Sequence, residues 1–204
     1  MFVGLGDAGK TSLFNALGRF NDSYSSDGFI PKVTDGIQIK KWELLNNNDK
    51  LTFSMWDFAG QSVYYNTHQF FLTSRAVYLL VWNVRLGSEY ANLDFWLASI
   101  SVHAPGSPIF VVGTHIDQVA KYTLDQNDFK SRFKQIVGFH FVSSYDYTGI
   151  GNLIKDLYDC TLKQTYIGET IPVCIKLIFC IIIITPHELL PYLTYIISLK
   201  GLLC

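Results

Sequence analysis

Short apolar runs between polar loops give the first indication of the fold. The clearest runs cover residues 76–82 and 109–112, and a weaker one covers residues 139–142, as expected of buried strands. Residues 37–45 and 51–56 instead alternate apolar and polar side chains on either side of a turn-like segment. That alternation is typical of an antiparallel hairpin.

Apolar side chains recur at helical spacing in three other segments. They are Leu13, Phe14 and Leu17; Leu93, Trp96, Leu97 and Ile100; and Ile150, Leu153, Ile154 and Leu157. Helices that alternate with strands predict an α/β fold, in which a mostly parallel sheet has helices on both faces. Ligands of such folds bind beyond the carboxyl ends of the strands, so we expect the functional residues in the loops that follow them.

The last part of the chain differs from the rest because it is almost continuously apolar. We expect residues 1–170 to form one domain and residues 171–204 to form a separate hydrophobic tail. The apolar run at 177–184 is shorter than the roughly 20 residues that span a bilayer, and a longer span would include Glu188 near its midpoint. Three interpretations stay open: the start of a further domain, a membrane-associated segment, or an extra packed layer.

Composition narrows the possible partners. The chain of 204 residues carries a net charge of −1, and 49% of its residues are hydrophobic. It can therefore fill a core, and it has no basic surplus that would favour nucleic acid. Its four cysteines lack CxxC spacing, which indicates neither a zinc site nor a disulfide framework. We expect a cytoplasmic protein, with membrane contact, if any, through the tail.

The segment GLGDAGKT fits the phosphate-binding pattern GxxxxGK[ST]. Glycines in such a loop allow backbone N–H groups to surround an anion at the positive end of the following helix. Lys10 would reach the β- and γ-phosphates and neutralise charge during hydrolysis, and the Thr11 hydroxyl would bind Mg²⁺. The predicted nucleotide-binding positions here are Gly4, Gly6, Asp7, Ala8, Gly9, Lys10, Thr11 and Ser12.

The same glycines fit the dinucleotide fingerprint GxGxxG, which requires a parallel second strand that ends in an acidic residue. A long polar loop and a hairpin follow instead, so this alternative is disfavoured.

Two segments further along the chain have the chemistry of a γ-phosphate sensor. Thr34 lies in a polar loop before a strand, where its hydroxyl could bind Mg²⁺ and order the loop when the γ-phosphate is present. Asp57 follows a predicted strand and could hold Mg²⁺ through water, while the Gly60 N–H could approach the γ-phosphate. Gln61 would orient the attacking water, which makes Gln61 and Lys10 the predicted catalytic residues.

Two later loops could read the base. Asp117 follows the strand at 109–112, and its carboxylate could accept paired hydrogen bonds from the N1–H and the exocyclic amine of guanine, a donor pair that adenine lacks. Ser143 and Ser144 follow the last predicted strand and could meet the guanine O6 or the aspartate. These sites occur in order at the ends of strands, which together indicates a nucleotide-binding protein.

The segments "VTDGIQIKKWEL", "MWDFAGQSVYYNTHQFFLTSRAVYLLVWNV" and "VVGTHID" carry a resemblance to a known family. Over about residues 1–172 the chain resembles the Ras-like small GTPases and, more narrowly, the Roc domain of the Roco family, which includes the leucine-rich-repeat kinases. The resemblance implies a P-loop GTPase fold with a six-stranded sheet, and Mg²⁺-dependent binding of GTP and GDP with slow hydrolysis. It also implies a COR domain next along the chain, through which a homodimer would form, and often a kinase domain.

Two features depart from the general GTPase pattern. Thr114 and His115 replace an Asn-Lys pair, a form that is familiar in Roc domains; we expect His115 to pack along the base. Only residues 1–3 precede the phosphate-binding loop, whereas a central strand of five or six residues is typical. We therefore expect the chain to begin inside its first strand, as a piece of a longer protein.

The expected partner surfaces are the Thr34 loop and the segment from Gln61 to Arg75. Within that segment we expect Phe70, Phe71 and Leu72 in the core, and Tyr64 or Tyr65 facing a partner. None of the arginines is placed at the phosphates by spacing, so help with hydrolysis would come from a second molecule. The main alternative to a GTP-hydrolysing switch is a module that binds nucleotide without useful turnover. An ATP-specific enzyme is third, disfavoured by Asp117 and Thr34.

Overall fold

A six-stranded sheet lies at the centre of the computed structural model, which describes residues 1–20, 36–46, 49–60 and 69–167. In chain order the strands are β1 (Phe2–Val3), β2 (Ile37–Asn46), β3 (Asp49–Phe58), β4 (Tyr78–Asn83), β5 (Ile109–Thr114) and β6 (Ile136–Phe141). Their order across the sheet is β2-β3-β1-β4-β5-β6. Only the β2–β3 pair is antiparallel, and the other four pairs are parallel. The predicted hairpin and mostly parallel sheet are confirmed.

Four α-helices accompany the sheet in the described residues. They are α1 (Lys10–Phe20), α2 (Leu93–His103), α3 (Gln126–Arg132) and α4 (Ile150–Leu162). Short 3₁₀ helices cover Gln69–Phe71, Val84–Leu86, Ser88–Tyr90 and Ile116–Gln118. The three predicted helices correspond to α1, α2 and α4.

The helix that the sequence did not predict is α3, which has seven residues and buries none of them. Its start is set by the Asp125 side chain, which accepts a hydrogen bond from the Asp128 N–H at 3.0 Å, a regular N-cap. Near its other end, Arg132 pairs with Asp128 on the same helix and with Asp94 on α2. Capping and ion pairs define this helix, and neither produces an apolar periodicity.

Alternate residues of each central strand enter two separate cores, one on each face of the sheet. Leu79 and Val81 of β4 pack on the face that α1 and α4 cover, whereas Leu80 and Trp82 pack on the α2 face, beside Trp96. This alternation follows from the two-residue period of a strand. The predicted α/β layering, with helices on both faces, is therefore confirmed.

The register of the sheet brings the candidate loops to one edge. Phe2 of β1 pairs with Asp57 on one side and with Leu79 on the other. The next pair of strands aligns Asn83 with Thr114, the last residues of β4 and β5. Because these strands run in the same direction, the loops that follow β1, β4 and β5 emerge side by side.

The expectation that Phe70 lies in the core is wrong, because 87% of its surface is exposed. Phe71 and Leu72 are partly buried against the α2-side core. Phe70 belongs to the 3₁₀ turn Gln69–Phe71. At three residues per turn, consecutive side chains point about 120° apart, so three successive apolar residues cannot all face the sheet.

Several expectations fall on residues outside the described part of the chain. They are the roles of Thr34, Gln61, Tyr64 and Tyr65, and the whole tail at 171–204. Within the described residues, none of the helices has both the length and the apolar character needed to span a bilayer. The division at residue 170 remains a prediction.

Candidate functional site

The loop that joins β1 to α1 begins with a close approach to β4. Gly4 has a φ of 139°, and a Cβ at this position would lie 2.1 Å from the Val81 carbonyl oxygen. Only glycine fits there, since both the backbone conformation and the distance exclude a side chain. Asp7 and Gly9 also have positive φ values, 57° and 84°, so the loop curls back before α1 begins at Lys10.

Lys10 is buried beneath this loop. Its Nζ donates hydrogen bonds to the carbonyl oxygens of Gly4 at 3.0 Å and Leu5 at 2.7 Å. Burial lowers the pKa of Lys10 to about 8, and the charges of Asp57 and Asp7 partly oppose that shift. The side chain is therefore mostly cationic at neutral pH and is held at the position where the loop would receive an anion.

Thr11 and Asp57 meet at the start of α1. The Thr11 hydroxyl donates to Asp57 Oδ2 at 2.6 Å, and Asp57, near the end of β3, is fully buried. A hydroxyl and a carboxylate are the oxygen donors that Mg²⁺ prefers, so the pair fits the metal that the sequence predicts. No group of three or more His, Cys, Asp and Glu side chains that could hold a metal occurs in the described residues. A metal at Thr11 and Asp57 would therefore need further oxygen ligands, from water, phosphate or the predicted ligand Thr34.

The chain after β3 passes directly over the phosphate-binding loop at Gly60. A Cβ on Gly60 would lie 2.4 Å from Lys10 Nζ and 2.5 Å from the Gly6 nitrogen. Such distances leave no room for a side chain, and the Gly6 contact is with backbone. Gly60 thus lies beside Lys10, and its role near the γ-phosphate stays a prediction.

Thr114 lies at the start of the loop after β5, which is predicted to contact the nucleotide base, and its side chain contacts the phosphate-binding loop. It is buried, and its hydroxyl lies 2.7 Å from the Ala8 carbonyl oxygen and 3.1 Å from that of Trp82. The hydroxyl has one proton for these two acceptors, and its oxygen can accept a hydrogen bond from His115 Nδ1, which lies 2.8 Å away. Thr114 therefore connects the phosphate-binding loop to the loop after β5 that carries His115 and Asp117.

Asn83 is a second support of the phosphate loop, and sequence reasoning missed it. The side chain is buried, and its Nδ2 donates to the Asp7 carbonyl oxygen at 3.2 Å. The available signal was an amide at the end of the apolar run that forms β4. Its role depends on the pairing of Asn83 with Thr114 across the two strands. The phosphate-binding loop is thus held by side chains at the ends of two adjacent strands, β4 and β5.

His115 and Asp117 occupy the turn that follows β5. His115 has a left-handed backbone with a φ of 64°, and a Cβ on Gly9 would lie 2.9 Å from its Cε1 atom. Burial lowers the pKa of His115, the positive charge of Arg85 lowers it further, and Asp117 opposes both. The ring is thus mainly neutral at pH 7 and packs against the phosphate loop, while Asp117 is exposed.

The serines that follow β6 behave differently from each other. Ser143 is buried, and its Oγ accepts hydrogen bonds from the backbone N–H groups of Tyr145 at 3.2 Å and Asp146 at 3.3 Å. The Val142 N–H donates to the Gly113 carbonyl at 2.8 Å, which fixes this loop beside β5. Ser144 Oγ is buried without a hydrogen-bond partner in the described residues. Ser143 therefore shapes the turn, whereas the buried hydroxyl of Ser144 makes no hydrogen bond within the described residues.

The structure thus brings together most of the predicted site residues at one edge of the sheet. Lys10, Thr11, Asp57 and Gly60 form a cluster around the phosphate loop, and Thr114 joins it to His115. Ser12 lies in the first turn of α1 and is half-buried. Thr34 and Gln61 lie outside the described residues.

Known proteins resemble the chain in sequence over the region that contains these site residues. The family model described as "Ras of Complex, Roc, domain of DAPkinase" matches residues 1–117. Two relatives from Dictyostelium discoideum, "Probable serine/threonine-protein kinase pats1" and "Probable serine/threonine-protein kinase roco11", are 34% and 36% identical to the chain. Each alignment covers 84% of this chain, but only 6% and 12% of the respective relatives. The chain therefore matches a small part of much longer proteins.

A solved structure also resembles the chain. It is named "Structure of methanosarcina barkeri Roco2 RocCORdC bound to GDP", with 31% sequence identity and a TM-score of 0.67. The match covers 80% of this chain and 48% of that one. The arrangement of strands and helices described above is therefore shared with a protein whose structure holds GDP.

Proposed function

Because the chain belongs to the Roc family of Ras-like P-loop domains, we propose that it binds GTP and GDP with Mg²⁺ and hydrolyses GTP slowly, as a molecular switch. The observation that carries the proposal is the meeting of Lys10, Thr11 and Asp57 at the mouth of the phosphate loop. A buried cation, a hydroxyl and a carboxylate supply the charges and oxygen ligands that a nucleotide triphosphate with its metal needs. The GDP in the similar Roco2 structure supports a guanine nucleotide as the ligand.

In this proposal Lys10 binds the β- and γ-phosphates. Its present acceptors, the carbonyls of Gly4 and Leu5, keep the ammonium group near the loop until a phosphate oxygen replaces them. The dipole of α1 and the loop N–H groups add to the attraction for an anion. The buried position of Lys10 strengthens the ion pair with phosphate because less water screens it.

Thr11 would bind Mg²⁺ directly and Asp57 would hold it through water. Mg²⁺ supplies charge neutralisation of the phosphate oxygens during transfer of the γ-phosphoryl group to water. Gly60 leaves its backbone close to Lys10, which supports a contact between its N–H and the γ-phosphate. Thr34 would complete the metal site, and Gln61 would orient the water.

Asp117 would read guanine through paired hydrogen bonds to N1–H and the exocyclic amine. Its turn is held to the phosphate loop through Thr114 and Ala8, so base and phosphate recognition are geometrically linked. The neutral ring of His115 can pack along the base. Ser144, with its unpartnered hydroxyl in the described part of the chain, can meet the guanine O6.

We extend the proposal to partners through the relatives. The Thr34 loop and the segment from Gln61 to Arg75 would change conformation with the bound nucleotide and contact other proteins. A COR domain would mediate dimerisation, and the similar Roco2 structure, whose name includes "RocCORdC", supports the pairing of such a domain with Roc. The second candidate function is a module that binds nucleotide without useful turnover, which differs from the first only in its hydrolysis rate.

A competition titration tests the binding part of the proposal. A fluorescent guanine nucleotide is bound with Mg²⁺ and then displaced with GDP or ADP. We expect displacement by GDP at far lower concentration than by ADP, and loss of tight binding in Lys10→Ala. Equal displacement by the two nucleotides would refute the role of Asp117, and full affinity in Lys10→Ala would refute the phosphate-loop assignment.

Single-turnover hydrolysis of GTP separates the two candidate functions. We expect slow hydrolysis in the unmodified chain, and slower hydrolysis with unchanged GTP affinity in Gln61→Leu. Equal rates in both chains would remove Gln61 from the mechanism. No hydrolysis above the uncatalysed rate, with tight GTP binding, would favour the binding module.

A further inference from the structure

We propose that Arg85 is a positioning residue for guanine recognition: it ties the turn that carries Asp117 to Asn83, the residue that holds the phosphate loop. The inference rests on the proposed function, because it concerns the same nucleotide site. It assigns a role to a side chain that follows β4, outside the segments expected to contact the nucleotide.

The first half of this link joins the phosphate loop to Arg85 through Asn83. The Asn83 Nδ2 donates to the Asp7 carbonyl at 3.2 Å. Its Oδ1 accepts from the backbone N–H of Arg85 at 3.0 Å and from Arg85 Nε at 3.1 Å. Asn83 is only 5% exposed, so both ends of its amide are held in one orientation by the protein around them.

The second half of the link joins Arg85 to the turn that carries Asp117. Arg85 Nη1 donates to Gln118 Oε1 at 2.7 Å. Gln118 is the last residue of the 3₁₀ turn Ile116–Gln118, and its backbone N–H donates to the His115 carbonyl at 3.1 Å. In the sequence Asp117 lies between His115 and Gln118, so Arg85 restrains the end of the turn that follows Asp117, whereas Thr114 holds the residue before the turn.

The link requires the shape of a guanidinium group. Its planar set of donors reaches two acceptors at once, with Nε on Asn83 and Nη1 on Gln118, whereas a lysine ammonium is a single point charge on a flexible stem. The same positive charge helps to keep the His115 ring neutral. The Asn83 and Gln118 bonds also hold the guanidinium at the base end of the site in this chain.

Loss of Arg85 should affect selectivity for the base more than affinity for the phosphates. Thr114 and Lys10 hold the phosphate loop by contacts that do not involve Arg85. Loss of Arg85 frees the Gln118 end of the turn and widens the range of positions that the Asp117 carboxylate adopts. A ligand that needs both hydrogen bonds to Asp117 then loses more affinity than a ligand that needs one.

The test compares GDP with inosine diphosphate, which lacks the exocyclic amine of guanine and forms only one of the two bonds to Asp117. Both are titrated against a fluorescent guanine nucleotide in the full chain and in Arg85→Gln. We expect the Kd for GDP to rise about three- to tenfold, as for loss of one charge-assisted hydrogen bond near the surface, and the Kd for inosine diphosphate to rise less. The matched control is Arg132→Gln, which removes an arginine that pairs with Asp94 and Asp128 away from the site and should change neither Kd.

Two further variants separate the hydrogen bonds from the charge. Gln118→Ala combined with Arg85→Gln should weaken GDP binding no more than Arg85→Gln alone, because both changes remove the same contact. Arg85→Lys keeps the charge and should show the reduced selectivity of Arg85→Gln. An NMR pH titration of His115 in nucleotide-free protein should give a raised pKa in Arg85→Gln and an unchanged pKa in Arg85→Lys.

The outcomes distinguish this inference from the function on which it rests. If the unmodified chain shows no preference for GDP over ADP, the proposed function and the inference fail together. If the unmodified chain prefers GDP, and Arg85→Gln has the same ratio of the Kd for inosine diphosphate to the Kd for GDP, only the role of Arg85 is overturned. An unchanged His115 pKa in Arg85→Gln would contradict the placement of the guanidinium itself.

Discussion

In the 204-residue chain with a free amino terminus, burial of the Met1 amino group should make the free energy of unfolding depend strongly on pH. This group donates a hydrogen bond to the Val77 carbonyl at 2.8 Å, and the Met1 carbonyl accepts one from the Leu79 N–H at 2.8 Å. Burial lowers the pKa of the amino group from 8.0 to about 5. Between these values the folded chain holds the neutral amine and the unfolded chain the ammonium ion.

The magnitude follows from that pKa difference. The unfolded state binds more protons between pH 5 and 8, so the free energy of unfolding rises with pH over this range and levels off above pH 8. A difference of about three pKa units, at about 1.36 kcal/mol each, gives ~4 kcal/mol over the whole titration, of which ~3 kcal/mol falls between pH 5 and 8. Because folded domains are stable by about 5–15 kcal/mol, a change of this size is measurable by denaturant unfolding.

Denaturant unfolding from pH 5 to 9 measures the effect, and a chain with an acetylated amino group is the control. Acetylation keeps an N–H for the Val77 carbonyl and removes the titration. His115 and His140 also have pKa values lowered mainly by burial, and they add the same slope to both chains. The difference between the two chains therefore isolates Met1. Parallel pH profiles would refute the reasoning, since they would mean that the amine titrates equally in both states.

Three other predictions concern the phosphate loop. Thr114→Val should lower the free energy of unfolding by about 1–3 kcal/mol and weaken GDP binding, because the Ala8 carbonyl loses its donor. The control Thr114→Ser keeps the hydroxyl and should have the stability and GDP affinity of the unmodified chain. Equal losses in the two variants would contradict this role of the hydroxyl. Gly60→Ala should destabilise the fold by about 1–3 kcal/mol, measured by denaturant unfolding. The control Gly6→Ala should unfold at the unmodified midpoint, since its Cβ would meet its nearest atom at 3.5 Å; similar losses in both would refute the close approach of Gly60. The Kd for GDP should rise about tenfold per pH unit above pH 8, because free Lys10, with a pKa of about 8, must regain a proton to bind; a constant Kd from pH 7 to 9 would contradict that pKa.

The fold was predictable because local patterns determined most of it. The apolar runs gave β4 and β5, and the alternation before and after the turn gave the hairpin of β2 and β3. The last strand begins at Ile136, three residues before the predicted start, since Gly138 and His140 interrupt its apolar run. Element type was thus encoded more clearly than element boundaries.

The site was predictable as far as the motifs reached. The loop from Gly4 to Thr11 is a contiguous sequence pattern, and the structure places its Thr11 within hydrogen-bond distance of Asp57. The supports of that loop were harder to predict. Asn83 and Arg85 are ordinary polar residues in the sequence, and their contacts arise only when parallel register sets β4 against β5.

The two-residue strand β1 affects how the chain folds. The pairs within the β2–β3 hairpin join residues at most 21 positions apart, such as Ile37 and Phe58, so that hairpin can close early. By contrast, β1 joins Phe2 to Asp57 and to Leu79, and such distant pairs require large loops to close. The register pairs of this strand are the only ones between the hairpin and the rest of the sheet in the described residues. Native-state hydrogen exchange should therefore find the hairpin and the β4–β6 half as two units, which separate when Phe2 and Val3 detach.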